Sequence, residues 1–468
     1  MKLHIPSYRC RASVVQKRPV IIAAGKALAV IATLLAASSG LAASGKHAGT
    51  ADTHICSDDT CSMRDKLLDD PGFKVKHSPD FFETYKDGSR PKRNDRGKGK
   101  SQPAEESASL ANVSGAIAPA GTQPAGALTD RIVFTSGGHG WTYDNETQGK
   151  WVTQRGVSQE MVEDYGNLDQ MNMFAYYAFN AGATVVAFRP IGNQTNEVVL
   201  DNTSAAVTWA GTWNDSSSTI FYGSAGQTPY RWTSIASSET ATATYTPNIP
   251  VAGYYPVYTW ARHGSDRTKQ LYRINHTGGQ SQVRIPHHMV GNGWVYLGTY
   301  YFNAGSSAAN GSVIISNLEP TPTLGSVIIA DAIRFGNGMG DVVPTPLASE
   351  TPTVSKYPRE EECSRYWVQR MVGQGMSSTL YNGSGSDQDD NVGAPARMAR
   401  EMNREAAENI YKRIYLGFHS NAGSGSSRGC IGLYNNSTLF PGTATPNQFR
   451  WAQIIGQELN DDMVGIGA

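Results

Sequence analysis

The chain has 468 residues, enough for two or three domains, and its 40 basic and 40 acidic side chains cancel. This balance argues against nucleic acid or an anionic membrane as a partner. Charged residues make up only 17% of the chain, whereas glycine occurs 49 times. Such a composition is common in extracellular β-rich proteins and unusual for a helical cytosolic enzyme.

Residues 1–44 have the pattern of an export signal. Basic residues up to Lys26 precede the apolar run Ala27–Leu35, and small residues follow as far as Ser44. The run is shorter than the roughly 20 residues that a membrane span needs. We therefore predict a secreted or periplasmic protein with no stable membrane span. An uncleaved N-terminal anchor is the alternative.

The segment 45–128 is polar and rich in alanine, serine and proline towards its end. Such a segment buries too little apolar surface to offset the entropy of ordering, so it predicts a disordered linker. Two cysteine pairs are possible in an oxidising compartment, Cys56 with Cys61 and Cys363 with Cys430, but sequence alone does not show whether their Cα atoms approach.

Order begins in the segment 131–198, which has a strand–helix–strand pattern. Ile132–Phe134 is a short apolar run that ends in a glycine-rich loop. Apolar residues then recur at helical spacing between Ser158, a suitable N-cap, and a stop at Gly182. The β-branched stretch Ala183–Phe188 follows as the second strand. This pattern predicts the beginning of a parallel α/β sheet.

The pattern changes over 199–340, where only short strands with Gly, Asn, Pro and Ser at the turns are found. Strands at this spacing indicate a β-sandwich of jelly-roll type. The predicted strands are Tyr254–Ala261, Gln282–Ile285, Gly293–Phe302, Ser312–Ser316 and Ser326–Arg334.

The α/β pattern returns over 345–468, with helices predicted at Pro395–Ile410 and Pro446–Met463. Between them, Arg413–Phe418 is an apolar strand that leads directly into His419. The predicted fold class is therefore α/β, an open sheet that is interrupted in sequence by an all-β, jelly-roll-like sandwich.

Two histidines, His139 and His419, follow directly after predicted buried strands. Ligands in open α/β sheets collect beyond the carboxyl ends of the strands. Glu163, in the first turns of the predicted helix, points to the same end. Two neutral imidazoles and one carboxylate leave a fourth position for water, the arrangement of a catalytic zinc. Taken singly, each residue is ordinary, since first-turn glutamates favour the helix dipole and most such histidines are simply hydrogen-bonded.

Four short motifs, in order and in structural context, resemble those of the zinc-dependent N-acetylmuramoyl-L-alanine amidases. The resemblance covers about 131–198 and 345–468. The motifs are Gly138-His139-Gly140, Glu163-Asp164-Tyr165-Gly166-Asn167-Leu168, Ala181-Gly182-Ala183 and His419-Ser420-Asn421-Ala422.

This resemblance implies that His139, Glu163 and His419 bind zinc (Zn²⁺), and that Asn167 and Arg189 support catalysis without binding the metal. The implied reaction is hydrolysis of the amide between N-acetylmuramic acid and L-alanine in peptidoglycan.

The sequence departs from the amidase pattern at two places. The usual Asp-Pro before the first histidine motif is replaced by Thr135-Ser136-Gly137. The family also has a general-base glutamate on a strand after the second histidine motif, and Glu458 lies in the last predicted helix instead. The sequence as given has the appearance of a fragment, and we expect it to bind zinc but to turn over substrate poorly.

The inserted segment resembles the golvesin or xanthan-lyase-associated, carbohydrate-binding-like domain, which implies a glycan partner. The resemblance rests on Trp209–Trp213, Ile249–Tyr255, Arg273–Gly279, Gly293–Phe302 and Ala330–Phe335. Aromatic side chains of this segment can stack on sugar rings or fill the sandwich core, and the second interpretation is favoured. The tryptophans concerned are Trp213, Trp232, Trp260 and Trp294.

Three histidines of the insert are expected to be loop residues, not ligands: His276, His287 and His288. A cluster of acids is expected to form a solvated loop, since its spacing lacks the rest of an EF-hand: Asp387, Asp389 and Asp390.

Two other functions remain open. One is a secreted polysaccharide-binding protein in which the α/β part is a degenerate scaffold. The other is a different secreted zinc hydrolase, such as a peptidase. The expected partner is peptidoglycan or another extracellular glycan.

Overall fold

The structure, a computed structural model, describes residues 121–155, 162–320, 325–347, 350–404, 412–420, 432–434 and 447–465. The predicted export signal, the predicted linker up to residue 120, and Cys56, Cys61 and Cys430 lie outside the described residues. The chain divides into two compact units. The described residues up to Ser420 belong to one unit, called here the unit 103–420, and those from residue 432 onwards belong to the other.

The strands and helices of the unit 103–420 follow one another along the chain. They are β1 (Gly121–Thr122), β2 (Ile132–Gly137), β3 (Trp141–Asp144), β4 (Lys150–Thr153), α1 (Glu163–Asn180), β5 (Thr184–Ala187), β6 (Glu197–Leu200), β7 (Val207–Ala210), β8 (Asn214–Asp215), β9 (Arg231–Ser234), β10 (Thr242–Tyr245), β11 (Asn248–Ile249), β12 (Gly253–Trp260), β13 (Lys269–His276), β14 (Gly279–Pro286), β15 (Trp294–Phe302), β16 (Gly305–Ser306), β17 (Ser312–Ser316), β18 (Val327–Ala330), β19 (Ala332–Gly336), α2 (Ser364–Met371), α3 (Asp387–Met402) and β20 (Arg413–Phe418).

Two large sheets form a β-sandwich. One has the strand order β1-β14-β13-β17-β10-β7, and the other has the order β20-β2-β5-β15-β12-β19-β6. A single hydrophobic core contains buried side chains of both sheets, such as Ile274 and Val313 from the first and Val257 and Ile333 from the second. The predicted β-sandwich is confirmed, and the described part of 199–340 contains no α-helix.

Three strands at one end of the second sheet are parallel. β2 pairs with β20 on one side and with β5 on the other. α1 connects β2 to β5 and buries Leu168, Met171, Ala175 and Phe179, whose spacing places them on one helical face. The predicted strand–helix–strand pattern is therefore present. The described helix begins at Glu163, and the predicted N-cap Ser158 lies outside the described residues.

The parallel strands and the sandwich share one sheet. β5 pairs antiparallel with β15 through Val185 and Tyr296. Phe179 of α1 packs edge-on against Tyr296, with ring centroids 5.2 Å apart. The inserted segment therefore interrupts the α/β pattern in sequence, whereas in space the parallel strands extend a sheet of the sandwich.

The acidic segment before the third helix differs from its predicted form. α3 begins at Asp387, eight residues before the predicted start at Pro395, and the Ser386 side chain caps it by accepting from the Asp389 N–H. Asp387 and Asp390 are fully buried. Asp387 pairs with Arg365, and Asp390 accepts from the N–H of Gly383 and pairs with Arg397. The predicted solvated loop is therefore wrong.

The predicted linker ends earlier than residue 128. β1 pairs in parallel with β14, and the Gln123 side chain donates to the carbonyl oxygens of Phe179 and Ala183. Residues from Gly121 onwards therefore belong to the folded unit.

In the second unit, α4 spans Gln448–Gly465, close to the helix predicted at Pro446–Met463. Within the described residues, no helix has both the length and the apolarity that a membrane span requires.

Candidate metal centre

Two loops leave the parallel strands side by side and carry the two histidines. β2 and β20 are in register, with Gly137 opposite Phe418 at their carboxyl ends. The N–H of Gly138 donates to the carbonyl oxygen of Phe418 at 2.9 Å. His139 directly follows Gly138 and His419 directly follows Phe418, so this hydrogen bond brings the two histidines together, with ring centroids 4.9 Å apart.

The first residue of α1 completes the group. Glu163 Oε1 lies 3.4 Å from His139 Nε2 and 3.6 Å from His419 Nδ1. One ligand atom from each of the three residues lies within 4.8 Å of the others. The structure thus brings together the three side chains that the sequence predicts as metal ligands.

Two glycines make this close approach possible. A Cβ atom added to Gly138 would lie 2.1 Å from Cε1 of His419, and one added to Gly137 would lie 2.7 Å from the carbonyl oxygen of Asn167. Any side chain at Gly138 would therefore displace the second imidazole. The glycine-rich loop is a requirement of the site and not only of the turn.

The Glu163 carboxylate is held by neutral donors and a cation. Oε1 accepts from the N–H of Ser420 at 3.0 Å and from Asn167 Nδ2 at 3.2 Å, and Oε2 faces Arg155 Nε at 3.6 Å. Burial raises the pKa of Glu163, but hydrogen bonds from His139 and His419 outweigh it, so that the pKa lies well below its usual range. The Glu163 carboxylate is therefore ionised.

His139 and His419 differ in exposure. His139 is 2% exposed, and burial lowers its pKa although Glu163 acts in the opposite direction. It is therefore neutral, as a metal ligand must be. The His419 side chain is 38% exposed, which leaves the group open on that side.

Two of the three donor separations match a tetrahedral zinc ion. Ligand bonds of about 2.1 Å at tetrahedral angles place donor atoms roughly 3.4 Å apart, and Glu163 Oε1 lies 3.4 and 3.6 Å from the two imidazole nitrogens. The third separation, between the two imidazoles, lies within 4.8 Å. Two imidazoles and one carboxylate are also the donor set of several hydrolytic zinc sites. The open side at His419 would leave the fourth position to water.

Asn167 and Arg189 both support the loop of His139. Asn167 donates to the carbonyl oxygen of Gly138 as well as to Glu163. Arg189 is fully buried, and its guanidinium donates to the carbonyl oxygens of Gly137, Asp164 and Glu360. Asn167 therefore lies next to Glu163. Arg189 instead holds main-chain carbonyl groups behind the site and is too deeply buried to contact a substrate.

Sequence reasoning missed three neighbours of the group. Gln154 and Arg155 lie just after β4, and Asn391 lies in α3. Arg155 contacts Glu163, while Asn391 contacts His139 and Gln154. No local pattern identifies them, because each reaches the site only through tertiary packing.

The aromatic side chains of the insert divide into two sets. Trp260 and Trp294 are fully buried, and their indole N–H groups donate to the carbonyl oxygens of Met371 and Arg370. They belong to the core, as favoured from the sequence. Trp213 and Trp232 are only partly buried.

The predicted loop histidines are mostly buried within the sandwich. His276 ends β13 and its Nε2 lies 3.0 Å from the hydroxyl of Ser281. His287 follows β14 and its Nε2 lies 2.8 Å from the hydroxyl of Tyr272. These contacts give both residues structural partners, and no described metal-ligating group includes them.

Together, the strand ends and the first turn of α1 define a candidate mononuclear metal centre of the histidine–carboxylate class, placed at the carboxyl ends of parallel strands. Comparison with known proteins concerns a different part of the chain.

Residues 198–337 match the family described as the Golvesin C-terminal domain. A xanthan lyase of Bacillus sp. (strain GL1) is 36% identical over 144 residues, which cover 30% of this chain and 14% of that lyase. The solved structure of a Paenibacillus xanthan lyase is 31% identical with a TM-score of 0.27, covering 31% of this chain and 13% of that one. An exo-beta-1,3-galactanase from Phanerochaete chrysosporium is 15% identical with a TM-score of 0.22, covering 30% of this chain and 29% of that one.

The predicted golvesin-like domain is thus confirmed. The match runs from β6 to just beyond β19 and does not include the three residues of the metal centre. This chain spans only a small part of the lyase. The assignment of the remaining α/β part to an amidase stays a prediction.

Proposed function

We propose that this protein is a secreted or periplasmic hydrolase of peptidoglycan, in which the golvesin-like sandwich binds glycan and the metal centre cleaves an amide. The convergence of His139, Glu163 and His419 carries the hydrolytic part of the proposal. The golvesin match supports the glycan-binding part. The proposed bond is the amide between N-acetylmuramic acid and the first L-alanine of the stem peptide.

The residues of the chain have defined roles in this proposal. His139 and His419 each offer one imidazole nitrogen to the metal, that of His139 being neutral, and Glu163 offers one oxygen of an ionised carboxylate. Asn167 and the N–H of Ser420 hold that oxygen in place. The exposed side of His419 admits the substrate. When bound there, zinc would acidify a water molecule and polarise the scissile carbonyl.

Metal content and peptide release test this proposal on the same samples. We expect about one zinc per purified chain, and release of stem peptides with a new N-terminal alanine from purified sacculi, abolished by a chelator. His139→Ala, Glu163→Ala and His419→Ala should each lose the zinc and the activity. His263→Ala is the matched control, since this half-buried histidine lies outside the group, and it should retain both.

If all three substitutions leave zinc content unchanged, the proposed ligand set is wrong. If zinc is bound at these residues but the released peptides carry a different new N-terminus, the centre belongs to another peptidase or amidase.

A second candidate function is polysaccharide binding on a scaffold without turnover. One observation favours it: within the described residues, the group at the metal centre contains a single carboxylate, and that carboxylate is a proposed ligand. The described group therefore contains no second carboxylate that could act as the general base. Zinc-bearing protein that sediments with sacculi or with xanthan, yet releases no peptide, would establish this second function.

A further inference from the structure

We propose that Asn391 is a positioning residue of the metal centre, which orients the His139 imidazole through its Nδ1 atom. This inference rests on the proposed metal site. Asn391 is 2% exposed. Its Nδ2 atom lies 3.2 Å from His139 Nδ1 and 2.7 Å from Gln154 Oε1.

The contact lies on the edge of the imidazole opposite to the ligand group. His139 Nε2 faces Glu163 at 3.4 Å, while Nδ1 faces Asn391. Rotation of the imidazole ring would therefore break a contact on each of its two nitrogens. Metal-ligating histidines commonly have such a partner on the second nitrogen, which fixes the ring orientation and the tautomer.

The amide can serve both tautomers of His139. With its NH₂ group towards Nδ1, Asn391 donates, and the imidazole carries its proton on Nε2 for Glu163. An imidazole that binds metal through Nε2 carries its proton on Nδ1 instead. A half-turn of the Asn391 amide then presents Oδ1 as the acceptor. Gln154 Oε1 accepts from Asn391 Nδ2, while Gln154 Nε2 donates to the carbonyl oxygen of Gln388 at 3.1 Å. The Gln154 amide must therefore turn together with that of Asn391, so that an N–H of Gln154 meets Oδ1.

The hydrogen-bond partners of Asn391 favour a role in orienting His139 over a role in holding α3 in place. Both of its side-chain hydrogen bonds reach residues of the site, His139 and Gln154, and neither returns to α3. The neighbouring buried acids of the same helix, Asp387 and Asp390, instead bond to residues that hold the helix in place.

Zinc affinity, measured by competition with a chelator, tests the proposal. We expect Asn391→Ala to weaken zinc binding by roughly 10- to 100-fold. Asn391→Asp, whose carboxylate accepts from Nδ1–H, should restore affinity to the wild-type value or beyond. The control is Asn145→Ala: Asn145 also bonds to the start of α3 but does not contact His139, and its affinity should stay within about 3-fold of wild type.

Nitrogen-15 NMR of the metal-free protein gives a readout that does not depend on zinc. We expect His139 to move towards the Nδ1–H tautomer in Asn391→Asp relative to wild type. An unchanged tautomer, or an Asn391→Asp variant that binds zinc as weakly as Asn391→Ala, would overturn the proposal. If wild type binds no zinc but the tautomer still moves, the metal site fails while the Asn391–His139 contact stands.

Discussion

Burial and neighbouring charges together set the ionisation of single residues in this fold. Asp341 is bonded by Arg359 and Arg370; burial raises its pKa, but these two guanidiniums lower it to about 2. Burial raises the pKa of Glu362 to about 7, although hydrogen bonding from Ser355 and the field of Arg359 act against it. Asp341 is therefore ionised in the folded protein at any ordinary pH, whereas Glu362 holds its proton until near neutrality.

Glu362 should make the fold less stable as pH rises. Its pKa is about 7 in the folded protein and 4.5 as the ordinary value, so between these pH values the unfolded chain binds fewer protons. Its contribution is fully present below pH 4.5 and is lost by about pH 7. Glu362→Gln, a mimic of the protonated acid, should gain stability over wild type on the order of 2 to 3 kcal/mol across this window.

Urea unfolding of both proteins between pH 4.5 and 8 measures this difference. The exposed Glu146→Gln serves as the control and should follow wild type at every pH. If the curves of Glu362→Gln and wild type stay parallel, then Glu362 is already ionised in the folded protein at low pH and the account of its burial fails.

At the scale of elements, the sequence indicates those whose formation depends on local periodicity. The strands before His139 and His419, the body of α1, and β17 at Ser312–Ser316 follow their predicted positions. The three residues of the candidate metal centre are predictable because His139 and His419 follow strand ends and Glu163 begins a helix. The start of a helix is predicted wrongly where it depends on partners that local periodicity does not reveal. Asp387 and Asp390 have the pattern of a solvated loop, but in the folded chain they pair with Arg365 and Arg397.

The same limit applies to Asn391 and Gln154. Each reaches the metal centre from a segment whose own pattern indicates only a helix or a strand end. Arg189 shows the opposite case. The resemblance to the amidases implies that it supports catalysis, and the structure directs its guanidinium to main-chain carbonyls behind the site.

At the scale of the folded unit 103–420, one sheet and one core join the parallel strands to the sandwich. The sequence could not show this, because β5 and β15 are separated by about a hundred residues and pair through a single residue on each strand. Shared packing predicts cooperative behaviour.

We expect the parallel strands and the sandwich to unfold together. In hydrogen exchange at increasing urea, β2 and β13 should lose protection at the same concentration. Phe179→Ala, which removes the contact with Tyr296, should lower the midpoint of both strands, with a loss of about 3 to 5 kcal/mol. The matched control is Tyr177→Ala on the same helix, where the side chain is 70% exposed and no such loss is expected. Separate midpoints for β2 and β13 would mean two independent domains.

The proposed function depends on one zinc ion held by His139, Glu163 and His419. X-ray absorption at the zinc edge of the loaded protein measures this directly. We expect two imidazole nitrogens and oxygen ligands at about 2.0 to 2.2 Å, with one imidazole lost in His419→Ala. A spectrum with sulfur ligands, or one that is identical in wild type and His419→Ala, would contradict it.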